Sequence, residues 1–512
     1  MIRLLYLLFS SLLIAGEVPV GTPVHIRLTS TVASYASKAG SPVSAVLIAP
    51  LAVDNEIAIP AGTVISGDIK SVKRVGLGFL HETATLDLDF NRLTLSDGQT
   101  LPLSAQVKKV DNGRERVTRK GEIRGIRTTG SISYRVSGYV RTLILWYVHA
   151  EFAEWLIRSL IVQVPEPEIY YPPGVELTLS LTAPLLSAAP VESAHRAATL
   201  DSADRAAMEE LTASLPDRTY TVTSNRPSDL INILLIGSRD EISAAFEAAG
   251  WVEARPRTLG TGIRGIRAVI ENRGYRFAPM SRLTVNETPA DMSWEKSFND
   301  FAKRHHIRVW KQPQKWHGRE IWIGAATHDI DFAYLRPGQA VTHRVDPDVD
   351  LEREKVANDL AFTSCVALRD SIARPDVPRT VWNATGDFMA TDTRLAVIGL
   401  NECRTPRLST ETADLEPPPA AHGNGVQRFV RREVLSARSD LLRTNIYWRT
   451  YEGVRWMVEA IRQHRQRAAL QVRMTHALAP TVLQKSAAGA ASRPSETSKA
   501  VRAASEIIPL AP

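Results

Sequence analysis

The sequence predicts a multidomain protein: a β-rich N-terminal sandwich or barrel, an α+β second domain, basic C-terminal helices and a disordered tail. Three observations carry this reading. Short alternating apolar segments, punctuated by Gly and Pro turns, fill residues 18–110. Strand-like and helix-like runs succeed one another between 227 and 412. From Val426 to Arg473 apolar residues recur at helical steps among arginines, and from Met474 onward the chain is rich in Ala, Ser and Pro. At 512 residues the chain exceeds one ordinary core, so two or three domains are expected.

Composition narrows the classes. A hydrophobic fraction of 44% and a charged fraction of 23% are those of a globular protein. The net charge of +7 is localised: the stretch 426–473 alone carries a surplus of seven arginines over acids, so the remainder is close to neutral. Nucleic acid is therefore not an expected partner. The two cysteines, Cys365 and Cys403, exclude a zinc finger and a disulfide-dense scaffold. Their habit of burial favours two thiols, with one disulfide as the alternative in an oxidising compartment.

Taken in order, Arg3 followed by the apolar run Leu4–Ile14 has the layout of a secretory signal within residues 1–16, too short for a standard membrane span. Export to the periplasm or a membrane-associated envelope location is the expectation, with cleavage and retention as an anchor both open. The β-rich module is expected over 18–185. Val24–Leu28 and Ala84–Phe90 alternate with period two, and turns fall at Gly40-Ser41-Pro42, Pro60-Ala61-Gly62 and Asp97-Gly98. A helical insert is read near Phe152, Trp155, Leu156 and Leu160, and Val175–Leu181 is taken as the module's closing strand. The phrases GTPVHIRL, SKAGSPVSAVLIAPL, IPAGTVISGDI and LTLSDGQTLPLSA resemble the periplasmic barrel of TrbI-like type IV secretion proteins. That resemblance implies an envelope β-module without catalytic residues of its own.

Residues 187–226 read as a linker, with helix around Asp201–Leu215 stopped by Pro216. In the second domain, 227–412, Leu230–Gly237 is a buried strand, and Ser238 caps a helix with Asp240 and Glu241 in its first turn. Trp294–Lys303 reads as a helix. Ile307–Trp310 and Glu320–Ile323 form a hairpin whose polar turn holds Gln312-Pro313-Gln314 and His317-Gly318. A helix is expected over Asp348–Asp370, with Cys365 inside it, and a second hairpin over Val381–Leu400 with its turn at Thr391-Asp392-Thr393.

The phrases INILLIGS, AFEAAGW, RHHIRVW, IWIGAATHDID, THRVDPDVDLEREKVANDL and TGDFMATDTRLAVIGLNEC, in order over 229–404, resemble the LssY C-terminal domain family. The family has no established activity. Some relatives carry it behind membrane-embedded phosphatase-like segments, so the resemblance implies an envelope context.

The densest chemistry lies between Phe301 and Leu360. Imidazoles and carboxylates on separate elements are what a catalytic metal needs. His306, His328, Asp329 and His343 are the candidate ligands of a divalent cation, and His306, Arg308 and Asp329 the candidate catalytic residues. Strand alternation puts His306 and Arg308 on one face and His305 on the other. The spacing matches no motif such as HExxH. A structural account competes: Asp346-Pro347-Asp348 opens a helix, Asp350 and Glu352 complement its dipole, and Arg353 or Lys355 pairs with acids of the same helix. In the extension 426–473, Tyr447, Tyr451, Val454, Val458 and Ile461 form one apolar seam, which suits either an anionic membrane surface or packing on a neighbour. The leading functional expectation is a non-enzymatic envelope component that supports envelope or secretion machinery, with other envelope proteins as partners. The alternative is a metal-dependent hydrolase of a phosphoester or envelope substrate.

Overall fold

A computed structural model describes residues 17–53, 56–77, 82–127, 165–186, 197–255, 258–275, 277–334, 341–403 and 425–444, with scattered positions up to 465. The signal segment, the helical insert and the C-terminal tail lie outside the described residues.

The first lobe is a nearly closed, barrel-like antiparallel sheet. Its strands run in the order Ala105–Val110, Glu176–Leu181, Pro23–Leu28, Pro42–Leu47, Val64–Lys73, Thr85–Thr94, Ile123–Arg124 and Arg116–Val117. Alternation decides which side chains face in: Val24, Ile26 and Leu28, Val43, Ala45 and Leu47, and Leu86, Leu88 and Phe90 are all buried in one core. The sheet curls because Val64–Lys73 pairs with Thr85–Thr94 through two register shifts. At one of them a Cβ on Gly67 would lie 1.9 Å from the Asp89 carbonyl oxygen, so the strands could not approach there with any larger residue. The expected closing strand does close the lobe, since Glu176–Leu181 joins Pro23–Leu28 to Ala105–Val110.

The second lobe is α+β. Its sheet runs Val252–Glu253, Met292–Ser297, Arg304–Trp316, Arg319–Tyr334, Ile233–Ile236, Arg394–Leu400 and Val366–Ala373, with Val341–Val345 paired to the far end of Arg319–Tyr334. Ile233–Ile236 and Arg394–Leu400 are parallel; the other neighbours are antiparallel. One face packs Ile233, Leu235, Ile307 and Val309 against the helices Arg239–Ala248 and Val349–Phe362 through Ile242, Phe246, Val356 and Leu360. On the opposite face, Leu234, Ile236, Ile321 and Ile323 cover Met208 of the helix Ser202–Ala213. Ser238 and Glu241 form a reciprocal capping box at the start of Arg239–Ala248, as its sequence suggests.

Five local expectations change. Trp294 lies in a strand, Met292–Ser297, because Met292 and Trp294 point into the core while the segment pairs with Arg304–Val309. The helix expected to reach Asp370 ends at Phe362: Ser364 turns into the left-handed region (φ 59°) and strand Val366–Ala373 follows. Cys365 is therefore outside the helix, and it is disulfide-bonded to Cys403 rather than a buried thiol. The hairpin expected over Val381–Leu400 is shorter, Thr380–Trp382 with Phe388–Ala390, because Asn383 Oδ1 accepts from the backbone of Thr385 and Asp387 and makes the turn there. The turn of the long hairpin is His317-Gly318 alone, both at positive φ, and Gln312-Pro313-Gln314 sits at a register shift inside the strand.

The basic helix Gly425–Thr444 returns to the first lobe. Leu435 enters that lobe's core, Arg431 Nη2 donates to Glu168 Oε1 at 2.9 Å, and Arg438 donates to the Gly76 carbonyl. Tyr447, Tyr451, Val454, Val458 and Ile461 are exposed. Among the described residues, no helix is long and apolar enough to cross a membrane.

Candidate functional site at the junction of the lobes

Register in the long hairpin sorts the candidate residues. Arg304 is opposite Asp329, His305 opposite His328 and His306 opposite Thr327. Directly paired residues share a face and neighbours alternate, so two clusters form back to back.

The first cluster is centred on Asp329. Arg304 Nε donates to Asp329 Oδ2 at 3.0 Å, His306 Nε2 donates to Oδ1 at 3.0 Å, and His343 Nδ1 stands 3.5 Å from Oδ2. The second arm of Arg304 donates to Glu295 Oε2 at 3.1 Å. His306, Asp329 and His343 therefore do converge, from three strands. Arg308 is committed elsewhere, to Ser281 and to Asp229 Oδ2 at 3.3 Å. Burial works against the Asp329 charge, but His306, His343 and Arg304 overcome it and hold the carboxylate below its usual range. Glu295 shares the arginine without the imidazoles, and burial pushes its carboxyl up to about 8. Burial also lowers His306 and His343.

The second cluster crosses between the lobes. His305 Nδ1 lies 2.6 Å from Glu352 Oε2, and its Nε2 lies 2.8 Å from Asp111 Oδ2 of the first lobe. Carboxylates only accept, so both ring nitrogens carry protons and His305 is an imidazolium. Burial opposes that charge, but Asp111 and Glu352 raise the ring to about 9. His328 stacks on His305 with ring centroids 4.2 Å apart, and its Nε2 is 3.0 Å from Asn112 Oδ1. Burial, with the positive neighbour His305 second, lowers His328 well below the ordinary histidine value. The four proposed metal ligands thus separate: His306, Asp329 and His343 share one face, while His328 sits on the other with His305.

A third set of buried charges adjoins the second cluster. Glu176 accepts from Arg27 Nη2, Lys296 Nζ and Lys355 Nζ, each at 2.7 Å. Asp359 accepts from both lysines at 2.8 Å and from Trp251 Nε1 at 3.0 Å. Burial raises both acids, yet the lysines pull them below the ordinary range. Arg27 and Glu176 belong to the first lobe, Lys296, Lys355 and Asp359 to the second. A cavity of about 50 Å³ at this seam is lined by Arg27, Asp111, Glu176, Lys296 and Phe298, room for water rather than for a substrate.

Sequence reasoning missed Asp111, Asn112, Glu176, Lys296 and Asp359. Their signal was weak: Lys355 and Asp359 stand at i,i+4 on a helix, which ordinarily marks a surface pair. Glu352 was read as a dipole complement and is instead the partner of His305. Asp350 and Arg353 do pair within the helix, at 2.9 Å.

Residues 212–395 match the family described as LssY C-terminus. A search of solved structures finds ComB10 of the Com type IV secretion system of Helicobacter pylori, 13% identical over 34% of this chain and 93% of that one, with a TM-score of 0.20. No curated protein matches the chain.

Proposed function

We propose that the protein is a non-enzymatic component of the cell envelope that supports envelope or secretion machinery, its two lobes locked into one unit. The observation that carries this reading is the fate of the chemistry-bearing side chains. His305 is engaged at both ring nitrogens, and Asp329 is buried and accepts from both Arg304 and His306. A guanidinium 3.0 Å from the carboxylate also opposes a cation there, which weakens the hydrolase reading for that cluster. The Cys365–Cys403 disulfide supports an oxidising compartment, and the apparent secretory start of the chain supports export.

The convergence of His306 and His343 on Asp329 favours the second reading, a metal-dependent phosphoester hydrolase. Two measurements separate them. The full chain, expressed in a bacterial host, is fractionated and its thiols alkylated. Recovery outside the cytoplasm with both cysteines protected is expected; cytoplasmic protein with two reactive thiols overturns the location. Purified protein is also assayed on p-nitrophenyl phosphate and bis(p-nitrophenyl) phosphate with magnesium, manganese or zinc. No turnover is expected, and turnover abolished by His306→Ala would establish the hydrolase.

A further inference from the structure

We propose that Asp111, His305 and His328 form a binding site for a divalent transition cation, zinc above all, that clasps the two lobes together. One ligand atom from each of the three lies within 4.8 Å of the others. Two neutral imidazole nitrogens and one carboxylate oxygen are a donor set that suits zinc, whereas magnesium and calcium prefer all-oxygen shells. These residues are distinct from the Asp329 cluster, where an arginine occupies the carboxylate.

The surroundings are those of a metal site as well. Histidines that bind metal commonly donate their second ring nitrogen to a carboxylate or carbonyl, which fixes the ring and its tautomer. His305 does so through Nδ1 to Glu352 Oε2 at 2.6 Å, leaving Nε2 aimed at Asp111. His328 has the equivalent partner in Asn112 Oδ1. Asn112 is held in the left-handed region (φ 51°), so the chain turns sharply and presents Asp111 and Asn112 together to the hairpin. Asp346 Oδ2, 4.0 Å from His328 Nδ1, borders the same space and offers an oxygen as the fourth ligand. The cation takes the place of the proton between His305 Nε2 and Asp111 Oδ2, and that proton leaves to solvent. Lys109, 3.3 Å from Asp111 Oδ1, is a cation in the way, and its half-exposed side chain is able to swing into water.

Because Asp111 comes from the first lobe and both histidines from the second, binding is linked to lobe association. A ligand that binds only the assembled form stabilises it by mass action. The test uses the full chain stripped of metal and titrated with zinc chloride or cobalt chloride. Expected are one equivalent bound, a higher melting temperature and the visible absorption of four- or five-coordinate cobalt. Asp111→Asn should weaken binding at least tenfold, and Asp111→Asn with His328→Gln should abolish it, with circular dichroism confirming the fold. His343→Gln should leave binding unchanged. X-ray absorption of zinc-loaded wild-type protein, which needs no variant, should show two imidazoles with oxygen ligands. No binding, an all-oxygen shell, binding retained in the double variant, or binding lost in His343→Gln would each overturn the proposal.

Discussion

His305 and Asp111, 194 positions apart in the chain, are joined side chain to side chain at 2.8 Å. With Glu352 on the opposite ring nitrogen, the histidine is a charged bridge from helix Val349–Phe362 of one lobe to the turn that follows barrel strand Ala105–Val110 of the other. Removing one member of a buried pair leaves the partner's charge uncompensated, at a cost of about 3–5 kcal/mol. Asp111 retains some solvent contact, so in chelator-treated protein Asp111→Ala should lower unfolding stability by about 3 kcal/mol and Asp111→Asn by less. Urea denaturation measures both. A change within experimental error would show that the bridge is not part of the lock.

The charges around Glu176 and Asp359 should behave as one coupled unit. Asp359→Asn should cost about 3–5 kcal/mol, since Lys296 and Lys355 would keep only Glu176 between them. A double-mutant cycle with Lys296→Met should return a coupling of about 1 kcal/mol or more. Additive losses would mean the residues act separately.

Glu295 sets a pH dependence with a definite sign. Its carboxyl is raised from the ordinary range to about 8, so between pH 5 and 8 the folded chain holds a proton there that the unfolded chain has lost. Stability from this group is greatest at the acid end and falls as pH rises, by at most about 1.4 kcal/mol per pH unit. Glu295→Gln should flatten the fall. Chemical denaturation of both proteins at pH 5.5, 6.5 and 7.5 checks it, and parallel curves would refute the assignment.

The Cys365–Cys403 bond closes a loop over a sequence separation of 38 residues. Chain entropy gives such a loop about 4 kcal/mol, and measured values commonly fall near 2–4 kcal/mol. Cys403→Ser, or the reduced wild type, should therefore melt lower by several degrees in calorimetry.

The exposed seam of the C-terminal extension predicts attachment to an anionic membrane surface. Sedimentation with phosphatidylglycerol-containing vesicles should recover the full chain at low salt, and the triple variant Tyr447→Ser, Val454→Ser, Ile461→Ser should stay in the supernatant. These side chains are exposed, so the fold should be spared. Equal recovery of the two proteins would argue against a membrane role for the seam.

What the sequence revealed depended on how local the cause was. Ser238 and Glu241 cap a helix through contacts three residues apart, and His317-Gly318 makes a two-residue turn. Both can be read from neighbouring letters. The face-sharing of His306 and Arg308 also followed from alternation alone. Trp294 misled because its alternation covers only six residues before the chain bends, which also fits one helical turn or two. Asp111 and Glu176 could not be found at all. Their partners across the seam are 120 to 194 residues away, and nothing within either segment distinguishes a buried acid from a solvated one.

The match to the LssY C-terminus begins at residue 212, beyond Arg27, Asp111, Asn112 and Glu176. A fragment cut there would retain Lys296 and Lys355 but lose the acid they both reach across the seam, with Asp359 left to balance two ammonium groups. It would also bare the stacked rings of His305 and His328. Such a fragment should be poorly soluble near neutral pH or seek a substitute acid. Cut at that boundary, this chain would be left with half of a joint.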